Sequence, residues 1–350
     1  MFTPPHAARQ LRFDLGFLPA LWAEDDDLVL VDDIEQACRG FQLFAGYSVR
    51  RRGLRPSLPR FVTERQLGQS DIGGVQVWGW DAPLRNRLLR AGVESSLLPS
   101  FDELFEVSML SHRRTSMQLL RSLHDCVGSG IVGESFECRT LAEVIQAMSG
   151  PSVLKAPWSS SGRGVRFVQR DMRLQTLGWL QHVIERQGSI MVEPLYDRVC
   201  DFGMEFLSDG QGHVDYLGLS LFHTANGAYT GNLLATETSK RLQLGRLVSP
   251  RLLMDVRQSL CRLTGDMFRS RYSGPFGIDM MVVRQEGSTA AGQCLLHPCV
   301  ELNLRRTMGH VALALMPDDD VTQVMRIIPP GEHYRLVIEP LDEGKHVRIV

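Results

Sequence analysis

The stretch from residue 152 to residue 168 limits most strongly how this chain can fold. It reads SVLKAPWSSSGRGVRFV. Short apolar runs that contain β-branched residues begin and end it, and such runs are typical of strands. Serines and glycines fill the middle, where they favour a tight turn with exposed backbone amides. The pattern predicts a strand–loop–strand unit with Lys155 on its first strand and a loop suited to polyphosphate.

This loop differs from the two commonest phosphate-binding loops. A P-loop needs a lysine after its glycines and then a helix, whereas Lys155 precedes the glycines and an apolar run follows them. The GxGxxG fingerprint fails because Phe167 stands where the third glycine would be. A solvated hairpin turn is the alternative interpretation if the segment is considered alone.

A second pattern with chemical meaning lies near the end of the chain. Asp279 interrupts an apolar strand-like run, and a charge there is costly unless it is paired or bound to a metal ion. Glu301 and Asn303 are two residues apart in another such run, so they share one strand face. Carboxylate and amide oxygens are the ligands that Mg²⁺ prefers. The pattern predicts a magnesium site.

KAPWSSSGRGV, followed by Asp279 and Glu301-x-Asn303, resembles the ATP-grasp superfamily, whose members hold ATP between two α+β subdomains. The resemblance covers roughly residues 105–312. It implies an α+β fold, with an ATP-grasp core behind a small α/β domain. The implied segments are an N-terminal α/β domain (1–110), a first ATP-grasp subdomain with the flap (111–195), a second subdomain with the metal site (196–318) and a C-terminal tail (319–350).

The resemblance also implies which residues contact the phosphates of ATP. Lys155 takes the place of the strand lysine, and Arg113, 42 residues earlier, takes the place of a lysine at the start of a helix. Ser111 is the expected N-cap of this helix. Arg114 is the alternative to Arg113, and two solvated helix arginines are the other interpretation. The loop residues implied to fold over the phosphates are Ser159, Ser160, Ser161, Gly162, Arg163 and Gly164.

The base and the ribose have implied positions as well. Glu193 lies at the adenine position of the family's connector between subdomains. Because Pro194 lacks an N–H, we expect adenine to pair with backbone groups of Leu195. Asp201 is the preferred residue for the ribose hydroxyls and Glu205 is the alternative, while a surface charge pair is the other interpretation.

The remaining implied roles concern the metal and the second substrate. Asp279, Glu301 and Asn303 match the metal ligands of the family. Arg305 is expected on the same strand face, where it would reach a phosphoryl oxygen or a carboxylate, and Arg306 is a second catalytic candidate. The polar stretch 223–232, predicted to be a loop, offers three candidates for contact with the second substrate: His223, Tyr229 and Asn232.

The implied function is that of an ATP-dependent ligase. Such an enzyme activates a carboxylate with the γ-phosphate of ATP, and an amine captures the resulting acyl phosphate. One alternative is a regulatory or scaffold protein that binds ATP without turnover. Another is a ligase acting on a protein or peptide terminus, with the 223–232 stretch and an arginine cluster within 50–60 as its docking surface.

Composition limits the partners and the compartment. The 350 residues are 43% hydrophobic and 22% charged, with a formal net charge of −2, which argues against a dedicated nucleic-acid binder. The sequence contains neither a run of 18 apolar residues nor a signal-peptide core, so we expect a cytoplasmic protein without a membrane partner. Its seven scattered cysteines favour reduced thiols. The expected partners are ATP, Mg²⁺, a carboxylate and an amine, and a homodimer remains open.

Overall fold

The computed structural model describes residues 6–44, 59–159, 164–169, 174–225, 228–285, 294–317, 321–328 and 333–341. These residues belong to two compact units. The first lies within Met1–Phe105, Thr230–Ser239 and Arg305–Val347, and the second lies within Glu106–Tyr229 and Lys240–Leu304. The four segments predicted from the sequence remain a prediction of domain boundaries.

Helices and strands alternate irregularly along the chain. The α-helices are α1 (His6–Asp14), α2 (Ile34–Gln42), α3 (Glu64–Leu67), α4 (Ala82–Arg90), α5 (Phe101–Leu110), α6 (Arg113–Val127), α7 (Leu141–Ala147), α8 (Leu174–Gln187), α9 (Glu237–Leu244), α10 (Pro250–Phe268) and α11 (Met308–Ala314). The strands are β1 (Leu28–Leu30), β2 (Arg60–Val62), β3 (Phe136–Cys138), β4 (Ser152–Lys155), β5 (Val165–Val168), β6 (Ile190–Pro194), β7 (Arg198–Ser208), β8 (Val214–Ala225), β9 (Ala228–Leu234), β10 (Gly274–Arg284), β11 (Cys294–Asn303), β12 (Gln323–Ile328) and β13 (Arg335–Pro340).

The first unit contains a small parallel strand pair, β1 with β2. Asp33 begins the helix that follows β1, since its carboxylate accepts the N–H of Gln36 at 2.8 Å. The apolar run Val75–Trp78 is not a strand; its backbone is irregular, and the carbonyl of Trp78 accepts the N–H of Arg306. In the same unit, β12 pairs with β13 and with the end of β9.

The larger sheet of the second unit is antiparallel, with neighbouring strands in the order β11-β10-β7-β8. Helix α6 packs against β11 and against α10. Ser116 joins helix and strand directly, because its hydroxyl accepts the N–H of Leu302 at 2.9 Å. Leu119, Leu120 and Leu123 give α6 its buried side. This packing holds the start of α6 close to the end of β11.

The second sheet of this unit is also antiparallel, with the order β3-β6-β4-β5. Helices α7 and α8 cover one of its faces, and the core between them includes Val144, Leu154 and Leu180. The predicted strand–loop–strand unit is present as β4 and β5, in which Lys155 stands opposite Val165. We call this four-stranded sheet the flap sheet.

The α+β fold class is confirmed, since helices and antiparallel sheets both make up the chain. Two local predictions are wrong. Helix α6 is capped by His112 instead of Ser111, because Nδ1 of His112 accepts the N–H of Arg114 at 2.9 Å. The predicted loop 223–232 consists largely of strand, since β8 continues to Ala225 and β9 starts at Ala228. In the part of the chain that the structure describes, no helix is long and apolar enough to cross a membrane.

Candidate nucleotide and metal site

Lys155 lies at the end of β4 and is buried, with 9% of its side chain exposed. Its Nζ is 2.5 Å from Oε2 of Glu193 on the adjacent strand β6. Ser135 donates a longer hydrogen bond of 3.4 Å to the other oxygen of Glu193. A buried ammonium needs such a partner, since desolvation otherwise favours its neutral form. Lys155 and Glu193, predicted to contact phosphate and adenine, are therefore paired with each other.

A bulge in β11 places a backbone carbonyl next to Lys155. Asp279 stands opposite Glu301, but Met281 stands opposite His297, so β11 carries two extra residues between those pairs. Pro298 lies in this stretch and cannot donate to the ladder. The carbonyl of Val300 accepts from Nζ of Lys155 at 3.5 Å. The bulge thus brings the flap lysine to the strand that carries Glu301.

Arg113 is the first residue of α6 and is also buried. Its Nη2 lies 3.0 Å from Oε1 of Glu301 and donates to the hydroxyl of Ser159 at 3.1 Å. Its Nε donates to the carbonyl of Ala156 at 3.1 Å. One guanidinium therefore connects the base of the flap loop with the strand predicted to bind metal.

The neighbouring Arg114 has different partners. Its Nη2 lies 2.8 Å from Oε1 of Glu137 on β3, and it also contacts the ring of His112. Burial, followed by the charge of Arg114, lowers the pKa of His112 to about 4. The edge of the His112 ring meets Trp158 at 4.5 Å between ring centroids. Of the two arginines, only Arg113 contacts Glu301 in the described structure.

The predicted metal ligands share one face of the larger sheet, which we call the acidic face. Asp279 stands opposite both Glu301 and Gly203, and in the next row Gly277 stands opposite both Asn303 and Glu205. Residues directly opposite one another project to the same side of a sheet. The amide of Asn303 donates to Oδ2 of Asp279 at 3.1 Å. The structure therefore brings Asp279, Glu301 and Asn303 together.

Glycine leaves room among these oxygens. A Cβ at position 203 would lie 3.4 Å from Oε1 of Glu205 and 3.7 Å from Oδ1 of Asp279. Within the described ranges, no group of three His, Cys, Asp or Glu side chains is placed to hold a metal ion. Two carboxylates and an amide suit Mg²⁺, which keeps several waters and phosphate oxygens among its ligands. Asp279, Glu301 and Asn303 therefore fit this ion.

The two ribose candidates lie on the same strand as Gly203. Asp201 accepts from Nη1 of Arg198 at 2.6 Å and from the hydroxyl of Thr224 at 2.9 Å. Glu205 is almost fully buried and lies beside the acidic face. Asp201 is thus the more accessible of the two. Both ribose roles remain predictions.

The connector after β6 continues along the flap sheet. The N–H of Leu195 donates to the carbonyl of Pro151 at 2.9 Å, so this donor already has a backbone partner. About a third of the Leu195 side chain surface is exposed. A contact between Leu195 and adenine remains a prediction, and it would have to use other groups of this residue.

Arg305 does not lie on the strand face where the alternation placed it. Strand β11 ends at Asn303, and Arg305 belongs to the first unit. There Nη1 of Arg305 donates to the carbonyl of Arg306 at 3.2 Å. Arg306 lies over the ring of Trp22, with Cζ 4.4 Å from the ring centroid, and its Nη2 donates to the side chain of Gln76. These aromatic and amide contacts position Arg306 in the first unit.

Gly164, Tyr229 and Asn232 were also predicted to contact ATP or the second substrate, and these roles remain predictions. Gly164 lies opposite Ser159, and a Cβ on Gly164 would overlap the Ser159 side chain. Burial raises the pKa of Tyr229, and Asn232 is fully buried in the first unit. Four predicted loop residues lie outside the described residues: Ser160, Ser161, Gly162 and Arg163.

Sequence reasoning missed three residues that shape the site. His112 caps α6, and Trp158 fixes the base of the flap through hydrogen bonds to the side chain of Gln187 and the carbonyl of Ser108. His297 is buried on β11, where burial, followed by the charge of Lys155, lowers its pKa to about 3. Pro298 in mid-strand was the available signal for the bulge beside His297.

No protein-family model matches the sequence, and no curated protein matches it. Among solved structures, the chain is similar to N5-carboxyaminoimidazole synthetase from Staphylococcus aureus complexed with ADP, with a TM-score of 0.47 and 10% identity over 91% of this chain and 80% of that one. It is similar to L-amino acid ligase from Bacillus licheniformis, with a TM-score of 0.44 and 15% identity over 88% and 81%. It is also similar to a proposed ATP-grasp superfamily protein from Archaeoglobus fulgidus, with a TM-score of 0.39 and 14% identity over 68% and 66%.

Proposed function

We propose that this protein is an ATP-grasp ligase that uses MgATP to join a carboxylate to an amine. One observation supports the proposal most strongly: Arg113 contacts the carboxylate of Glu301, and Lys155 contacts the carbonyl of Val300 on the same strand. Two buried cations, one from the helix start and one from the flap, meet the strand that carries the metal ligands. Cations and hard oxygens in one place suit a polyphosphate with its metal ion.

In the proposed reaction, an oxygen of the substrate carboxylate attacks the γ-phosphorus of ATP. The bond from that phosphorus to the β-phosphate oxygen breaks, which releases ADP and leaves an acyl phosphate. The amine nitrogen then attacks the acyl carbon, loses a proton and expels inorganic phosphate. Lys155 and Arg113 hold the phosphate oxygens in line for the transfer, which depends mainly on positioning and charge.

Asp279, Glu301 and Asn303 would hold Mg²⁺, and the ion would supply charge stabilisation to the transferring phosphoryl group. Asp201 is proposed to bind the ribose. Similar proteins support the class of reaction only as analogies: one is a synthetase solved with ADP and another is an amino acid ligase.

The test is ADP formation by the purified protein with MgATP and a panel of carboxylates, each with and without a panel of amines. The proposal expects ADP release that depends on a carboxylate, together with phosphate and an amide product when the amine is present. Binding of MgATP without ADP release in any combination would favour the ATP-binding scaffold instead. Activity only with peptide or protein carboxyl termini would favour the ligase for macromolecular substrates.

A further inference from the structure

The ion pair between Arg113 and Glu301 joins two groups to which the proposed function gives different tasks. Nη2 of Arg113 lies 3.0 Å from Oε1 of Glu301. Arg113 is proposed to hold a phosphate, whereas Glu301 is proposed to hold Mg²⁺. A phosphate oxygen that takes the N–H groups facing Glu301 must replace this carboxylate. The two anions therefore compete for the N–H groups of Nη2.

We propose that Glu301 makes the protein select MgATP over metal-free ATP by holding Arg113 until a divalent cation draws its carboxylate away. The inference rests on the proposed function. Metal-free ATP would have to displace Glu301 and would then lie beside an unneutralised carboxylate. With Mg²⁺ present, Glu301 turns to the metal ion and Arg113 becomes available to phosphate, so each ligand favours the binding of the other.

The burial of Arg113 strengthens this competition. Only 9% of the Arg113 side chain and 32% of the Glu301 side chain are exposed. Charges screened this weakly by water attract and repel more strongly than surface charges do. Glu301 should therefore weaken the binding of metal-free ATP more than a fully solvated carboxylate would.

Arg113 should keep its position when Glu301 loses its charge. Two neutral groups also hold the guanidinium, namely the carbonyl of Ala156 and the hydroxyl of Ser159, each at 3.1 Å. The backbone N–H of Arg113 is bonded to the carbonyl of Pro157. Glu301→Gln should thus leave a positioned, positively charged arginine, which can accept a phosphate directly.

The experiment is calorimetric titration with ATP, once in excess EDTA and once in excess Mg²⁺. For Glu301→Gln we expect metal-free ATP to bind about tenfold to 100-fold tighter than it binds the wild type, the scale of one hydrogen bond to a charged group. MgATP should bind this variant more weakly than it binds the wild type. The ratio of the affinity for MgATP to the affinity for metal-free ATP should therefore be smaller than in the wild type.

Glu137→Gln is the matched control. Glu137 pairs with Arg114, the next residue of the same helix, at 2.8 Å. Its removal should leave both affinities within about twofold of the wild type. The second control is Glu301→Gln in an Arg113→Gln background, where the gain for metal-free ATP should disappear because the competing cation is absent.

Three outcomes would overturn the inference. The first is Glu301→Gln with unchanged or weaker binding of metal-free ATP while the wild type binds MgATP, which leaves the proposed function intact. The second is a gain that persists without Arg113, which would point to simple repulsion between anions. The third is a gain in Glu137→Gln instead, which would make Arg114 the phosphate residue. A wild type that binds neither form of ATP would overturn the proposed function as well.

Discussion

The two sheets of the second unit neutralise their charged residues in different ways. In the flap sheet, Lys155 pairs with Glu193 on the adjacent strand, so both charges belong to one sheet. On the acidic face of the larger sheet, Glu301 pairs with Arg113, which comes from a helix outside that sheet. Removing one charge of the flap pair therefore leaves the other charge in the same sheet, whereas removing the charge of Glu301 leaves a helix residue, Arg113, without its carboxylate partner.

The largest effect should come from removing the charge of Glu301. Glu301→Gln should lower the rate of ADP formation by about 10³-fold. The metal ion would lose one of its ligands, so the charge that develops during phosphoryl transfer would be stabilised less well. Steady-state kinetics with MgATP measures this, with circular dichroism to confirm the fold. Asn303→Asp, which keeps an oxygen ligand, should be milder. Wild-type Mg²⁺-dependent turnover in Glu301→Gln would make Glu301 an ordinary paired strand residue.

Lys155→Ala tests the flap sheet. The affinity for MgATP should fall by about 1.5–3 kcal/mol, the scale of a hydrogen bond to a charged group. Titration calorimetry of the folded variant provides the measurement. Arg166→Ala is the control, because Arg166 is exposed on the adjacent strand β5, where it lies over Trp179. Equal affinities of Lys155→Ala and the wild type would remove Lys155 from the site.

The next prediction concerns the pH dependence of stability at the start of α6, where His112 precedes Arg113. The folded pKa of His112, about 4, lies below the ordinary value of 6.5, so the unfolded chain takes up the proton first. The contribution of His112 to the free energy of unfolding should fall by about 1–2 kcal/mol as the pH drops from 6.5 to 5. His112→Asn keeps a capping side chain that does not titrate. In this variant, the part of the pH dependence of the free energy of unfolding that comes from His112 should vanish. Urea unfolding at several pH values measures it, and equal slopes for both proteins would contradict the prediction.

The smallest effect concerns the ribose. Asp201→Ala should weaken ATP binding by about 1 kcal/mol through the loss of one hydrogen-bonding partner. Binding of 2′,3′-dideoxy-ATP should change much less, because that nucleotide lacks the hydroxyl groups that Asp201 would contact. Competition titration with both nucleotides provides the comparison. Equal losses for the two would transfer the ribose role to Glu205.

Local sequence predicted most of the strands and helices that carry the site. The flap hairpin, the strand with Asp279 and the strand with Glu301 each showed apolar runs with polar residues at particular positions. Predictions of loops and helix caps were less accurate than predictions of strands and helices. Ser111 was a reasonable N-cap by residue type, yet His112 takes that place because its ring is buried and its Nδ1 faces the N–H of Arg114.

By itself, the sequence determined which residues bear charge and that Glu301 and Asn303 share a strand face, because side-chain alternation within a strand depends only on the local backbone. It could not determine which cation would meet which carboxylate. The pairs Lys155 with Glu193 and Arg113 with Glu301 connect residues 38 and 188 positions apart, and they depend on strand order, on the bulge in β11 and on the packing of α6. Only the tertiary structure decided these pairs, since the free energy of a charge contact depends on burial and distance, which the chain acquires when it folds.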